Sequence, residues 1–225
     1  MASKLDELQQ AEAIPLRRKA PPTKASVSAH VMSPSETLAE FLARIRPTST
    51  DASTSHRWIF VRGPAPRPSF RLCDAQKQEV AELLDAWAGE MHLLEPNDVP
   101  KHARAVSATV FALAKQYNYG SGKLLVFVEP SRADAVWAAV AIATAQGQLG
   151  CSAKISTRRQ PGHPHVLSVV VGCFWDEIRM LQILHKLSEL GLHVAAFKPD
   201  IFSTVSGYDL RRLHLQTLLY NPCCP

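Results

Sequence analysis

Lys154, Arg158 and Arg159 lie close together and run into a loop at Gln160-Pro161-Gly162. A compact basic cluster at a strand end suits phosphate, because the Arg fork matches phosphate oxygens and Lys supplies a point charge. Lys198, at the end of a later strand, is a fourth cation of the same kind. Tyr119 stands beside the turn Gly120-Ser121-Gly122 and is the aromatic expected to be exposed and able to stack on a base. These five residues make a candidate RNA or nucleotide-phosphate site that calls for no cofactor and no metal. Trp87 completes an apolar helical stripe, and a partly exposed helical Trp would anchor a protein partner.

Other chemistry-bearing patterns carry less. Gly120-Ser121-Gly122-Lys123 has the look of a phosphate loop. A Walker loop, however, needs a Gly where Tyr117 stands and a hydroxyl residue where Leu124 stands, between a strand and a helix. Here the segment joins a helix to a strand. His163 and His165 fall between Cys151 and Cys173, at spacings that match no common structural zinc pattern. Glu79, Glu82, Asp85 and Glu90 share the polar side of one helix and read as a solvated face. Asp200, after Lys198-Pro199, reads as a turn cap. No nucleophile has a base in its sequence context, so the chain reads as non-enzymatic.

The elements that must position these residues centre on 122–157. Leu124 to Val128 is a short apolar run of β-formers, and Pro130 opens a helical spacing through Trp137, Val140, Ala141 and Thr144 that stops at Gly147. Ser131 and Asp134 have capping-box spacing. A strand follows from Ser152, another over Val166 to Val171, a helix over Asp176 to Leu190 and a strand over His193 to Phe197. Upstream, Ser33-Pro34-Ser35-Glu36 is expected to start a short helix ending at Pro47, and Arg57 to Arg62 to form a strand. Asp74 and Asp98 are expected to open two longer helices. Trp58, Trp137 and Trp175 are expected in the core. Leu213 to Tyr220 fits a last strand or a helix.

Residues 1–70 carry ten Lys and Arg against six Asp and Glu, and residues 71–225 fifteen against fourteen. The excess charge therefore sits in the N-terminal part, and any nucleic-acid contact by the body must come from a local patch. Residues 1–32, with Arg17-Arg18-Lys19, read as a flexible basic tail; residues 33–225 read as one domain. Five cysteines, an odd number without a Cys-x-x-Cys pair, argue against a disulfide framework and for a reducing compartment. With no membrane-spanning run and no signal-peptide core, the expectation is the cytoplasm with access to the nucleus.

Gly122-Lys123-Leu124-Leu125, Asp134-Ala135-Val136-Trp137, Gly147-Gln148-Leu149-Gly150, Ser152-Ala153-Lys154-Ile155-Ser156 and Lys198-Pro199-Asp200-Ile201-Phe202 together resemble the signatures of the basophilic-leukaemia-expressed protein family. The likeness covers Trp58 to Tyr220. It departs at Leu124, where an aromatic usually stands, and at 203–208. That family resembles in fold the eukaryotic cap-binding translation initiation factor. The resemblance implies an α+β domain, a curved mainly antiparallel sheet backed by helices, with a phosphate-meeting strand end near Lys154, Arg158 and Arg159. By the same likeness, the Trp87 helix corresponds to the one through which the factor docks protein partners. The two loop tryptophans and the carboxylate that hold a cap have no counterpart in this sequence, so cap recognition is not implied.

Overall fold

The computed structural model describes residues 28–51, 56–65, 71–157, 162–205 and 207–217. Its strands are β1 (Ser28–His30), β2 (His56–Arg62), β3 (Gly122–Val128), β4 (Ser152–Ser156), β5 (His165–Val171) and β6 (Ala196–Pro199). They form one sheet in the order β1-β2-β4-β5-β3-β6, antiparallel throughout except for the parallel β1–β2 pair. The helices are α1 (Leu38–Arg44), α2 (Asp74–Glu90), α3 (Val99–Gln116), α4 (Pro130–Ala145), α5 (Glu177–Glu189) and α6 (Ile201–Thr204). This is a mixed α+β architecture on an open sheet.

The three strands expected to be neighbours are neighbours: β5 pairs with β4 on one side and β3 on the other. The Trp137 helix, α4, lies across β2, β4, β5 and β3. Ala133, Val136, Trp137, Val140, Ala141, Ala143 and Thr144 of α4 are all buried. So broad an apolar surface marks a helix enclosed from several sides, and α4 shares its core with Phe41 of α1 and with Ile183 and Leu187 of α5. Strands β2 to β6 contribute residues of one parity to this core: Ile59 and Val61; Leu124, Val126 and Val128; Ala153 and Ile155; Leu167, Val169 and Val171; and Phe197. The opposite parity of these five strands therefore points to the other face.

A second core joins α2, α3 and α6 with the chain around Tyr208 to Leu215. Phe174 belongs to both cores, through ring contacts with Phe197 in one and Phe111 in the other. Trp87 lies in this second core, 2% exposed, its indole N–H donating to the Leu213 carbonyl at 2.9 Å. That removes it as the partner-docking anchor expected from its place on the apolar stripe. The chain after residue 205 folds back over the side of α2 that the sequence leaves open. Among the described residues 213–217 there is neither strand nor helix.

Several local signals resolve differently from their sequence reading. The α1 cap is Thr37, whose hydroxyl accepts from Glu40 N–H while the Glu40 carboxylate accepts from Thr37 N–H at 2.8 Å. Ser33 to Glu36 forms a turn ahead of it instead. Asp134 does not cap α4. It accepts from the Thr48 N–H and hydroxyl at 3.1 and 2.7 Å, tying α4 to the chain after α1. The last strand is Ala196–Pro199, later than the His193 to Phe197 pattern suggests. Order also begins before Ser33, because Ser28–His30 pairs with β2. The basic cluster at 17–19 lies outside the described residues.

Candidate functional site

Strand register decides which side chains meet on the sheet face that α4 does not cover. Three rows cross it. Arg62, Ser152, Val170, Lys123 and Lys198 form one row; Phe60, Lys154, Ser168, Leu125 and Ala196 the next. Trp58 pairs with Ser156, and Phe127 with Val166, in the third. Four cations and three aromatics thus share one surface.

Its electrostatics are one-sided. The six strands contain Arg57, Arg62, Lys123, Lys154 and Lys198, and not one Asp or Glu. All but Arg57 fall on this face. Asp200, just past β6, is buried and engages the Lys123 ammonium while accepting from the Ser121 hydroxyl at 3.0 Å. Lys198 sits directly across from Lys123. The Lys154 ammonium lies over the Trp58 ring, 4.0 Å from its centre. Such a contact keeps both the long side chain and the ring in place at the surface.

The aromatics on this face are accessible to different degrees. Phe127 is 61% exposed, and Trp58 and Phe60 are half-buried. Trp58 is therefore not a core residue, whereas Trp137 is. Between these large side chains Ser152, Ser156 and Ser168 are buried. The Ser156 hydroxyl accepts from Val166 N–H at 2.9 Å, while the Ser152 hydroxyl has no hydrogen-bond partner.

Of the residues nominated by sequence, the structure brings Lys154 and Lys198 onto one face. Arg158 and Arg159 lie outside the described residues, in the connection between β4 and β5. Tyr119 is half-buried and packs in the second core, away from this surface. The residues that sequence reasoning missed are Arg62, Lys123, Trp58, Phe60 and Phe127. Their signal was parity: in His56-Arg57-Trp58-Ile59-Phe60-Val61-Arg62, Trp58 and Phe60 are in phase with Arg62, as Phe127 is with Lys123.

Gly120 and Ser121 join α3 to β3, and the Phe197 ring lies against Gly122 where a Cβ would stand, so this glycine serves packing. The His165 ring meets the Ser156 carbonyl at 2.7 Å and the Cys151 thiol donates to the Val170 carbonyl at 3.4 Å. Among the described residues no cluster of His, Cys, Asp and Glu could hold a metal. No helix among them is long and apolar enough to cross a membrane.

The family model of basophilic leukemia-expressed protein Bles03 matches residues 2–205. The chain belongs to the Bles03 family. The Bles03 match takes in nearly all of the N-terminal segment as well as the sheet. It ends at Val205, inside the 203–208 stretch where the sequence departs from the pattern. No curated protein matches the chain.

Proposed function

We propose that this Bles03-family chain is a non-enzymatic binding protein for RNA or nucleotide phosphates, working in the cytoplasm or nucleus. One observation carries the reading: the strands hold five cations and no acid, and four of the cations fall on the face that α4 does not cover, Lys123 among them paired with Asp200. Phosphate is the abundant cellular anion that such a surface fits, and Lys and Arg on extended strands track a phosphate backbone well. Lys154, on an interior strand, and Lys198, on the edge strand β6, are the contacts; Arg158 and Arg159, nominated by the sequence, lie outside the described residues. The sequence motifs' resemblance to a family similar in fold to the eukaryotic cap-binding translation initiation factor adds an analogy, which by itself carries no activity.

The test is a salt titration of RNA binding by the full chain. Charge reversal at Lys154 and Lys198, and separately at Arg158 and Arg159, weakens binding. Each lost phosphate contact flattens the salt slope by about 0.7. Isotherms and slopes unchanged in both double variants would rule the surface out.

A protein-interaction adaptor on the helical side is the second reading. Trp87 cannot serve it, but Ile178 and Leu181 on α5 are 73% and 66% exposed and one turn apart. Crosslinking in living cells with parallel recovery of RNA and protein separates the two, with I178D/L181D abolishing only the adaptor's contacts.

A further inference from the structure

We infer that the sheet face opposite α4 takes RNA in its unpaired form, stacking bases on Trp58, Phe60 and Phe127. This rests on the RNA-binding reading above and names the state of the nucleic acid that it selects.

Charge alone does not choose between single and double strands, because both present phosphates. The aromatics do. A duplex hides the faces of its bases in its own stack, so side-chain rings on a flat surface gain nothing from it. An unpaired strand offers those faces, and every base has one, so stacking adds affinity without demanding a sequence.

The layout suits that use. Trp58 and Phe60 are two residues apart on β2, ~7 Å along the strand. Phe127 lies across β4 and β5 from Trp58, three strand spacings or ~14 Å away. The cations alternate with the rings: Arg62 beyond Phe60, Lys154 between β2 and β5, and Lys198 on the far side, next to a Lys123 that Asp200 already holds. A strand laid over the face therefore meets rings for its bases and ammonium or guanidinium groups for its phosphates within the same few residues. Buried rings would be worthless for this, but Phe127 is 61% exposed on a strand whose alternate residues are buried.

The Lys154–Trp58 contact acts as a placeholder. Without ligand the ammonium sits 4.0 Å from the ring centre. A base stacking on that side displaces it toward the adjoining phosphate, so ring and cation serve two parts of one nucleotide.

The experiment compares binding of a labelled RNA oligomer of about 10 nucleotides with the same oligomer annealed to its complement, using the full chain. Phe127→Ala is the lead variant because its side chain is the most exposed of the three; Trp58→Ala and Trp58→Phe are its companions, each checked by urea midpoint. The expected result is preference for the single strand. Each Ala variant weakens it by about fivefold to a hundredfold, with the salt slope unchanged, Trp58→Phe keeping most of the affinity, and ligand-induced quenching of tryptophan emission lost in both Trp58 variants. Equal affinity for both forms, with Phe127→Ala and Trp58→Ala silent, overturns the stacking inference and leaves the basic-face reading standing. Binding to neither form overturns both, as does preference for an acidic, aromatic peptide probe over either RNA.

Discussion

The ammonium of Lys154 rests over the indole of Trp58, joining β4 to β2 on the sheet face opposite α4. A cation over an exposed or half-exposed ring contributes about 0.5–1 kcal/mol. Lys154→Met, which keeps the aliphatic stem, is therefore expected to lower stability by no more than about 1 kcal/mol. Backbone pairing of Lys154 with Phe60 and Ser168 does not depend on the charge. Urea denaturation checks this, and a loss of about 3 kcal/mol or more would assign Lys154 to the fold and not to the surface.

Lys123 and Asp200 behave otherwise. Their side chains are only 23% and 9% exposed, and the pair bridges β3 to the start of α6 with Ser121 as a third member. Removing one partner strands the other in a poorly solvated place. Asp200→Ala is expected to cost about 3 kcal/mol. The pair variant K123M/D200N should cost less than the two single changes added together, since it leaves no uncompensated charge. Additive losses in denaturant midpoints would refute that coupling.

The fold was legible where one pattern decided it. Strand, helix, strand, strand, helix, strand after Lys123 follows from period and turn chemistry, and β3, β4 and β5 are adjacent as expected. The site was harder to read. Arg57 to Arg62 is apolar on both parities, so the run announces a strand without saying which side is inward; only the pairing with β4 sends Ile59 and Val61 to the core and Trp58 and Phe60 out. Tyr119 illustrates the reverse error. Its place next to two glycines suggests exposure, but α3 docks on α2 and draws the turn into the second core. Capping was misassigned at Asp134 because the local Ser131 spacing competes with a tertiary partner, Thr48, that no local pattern reveals.

Trp87 gives a third prediction. Its ring fills the second core and its N–H satisfies the Leu213 carbonyl. Trp87→Ala is expected to cost about 3–5 kcal/mol by cavity formation. Trp87→Phe costs less, about 2 kcal/mol, by leaving a carbonyl unpaired and part of the volume empty. Neither change touches the basic face, so the RNA binding proposed for that face should be unaffected in the folded fraction. An unchanged urea midpoint for Trp87→Ala would contradict the enclosed position.

Tyr117 supplies the pH dependence. Its hydroxyl, at the C-terminal end of α3, donates to the Glu79 carboxylate on α2. Burial, with the Glu79 hydrogen bond and charge adding to it, pushes the phenol from its ordinary value of 10.0 up to about 12. A folded-state pKa above the unfolded one means the contact stabilises fully below pH 10. It is lost as pH climbs through about 12, where a phenolate would face Glu79. The pair is largely open to water, so the contribution is about 1 kcal/mol, less than usual for a charged acceptor. Absorbance titration of the four tyrosines should show one ionising near 12 in the folded chain. Tyr117→Phe should remove that step and lower stability near neutrality by about 1 kcal/mol. At about pH 11 the difference between wild type and variant should have narrowed. If the step near 12 survives in Tyr117→Phe, that phenol is a different residue and the α2–α3 clamp is not what holds it.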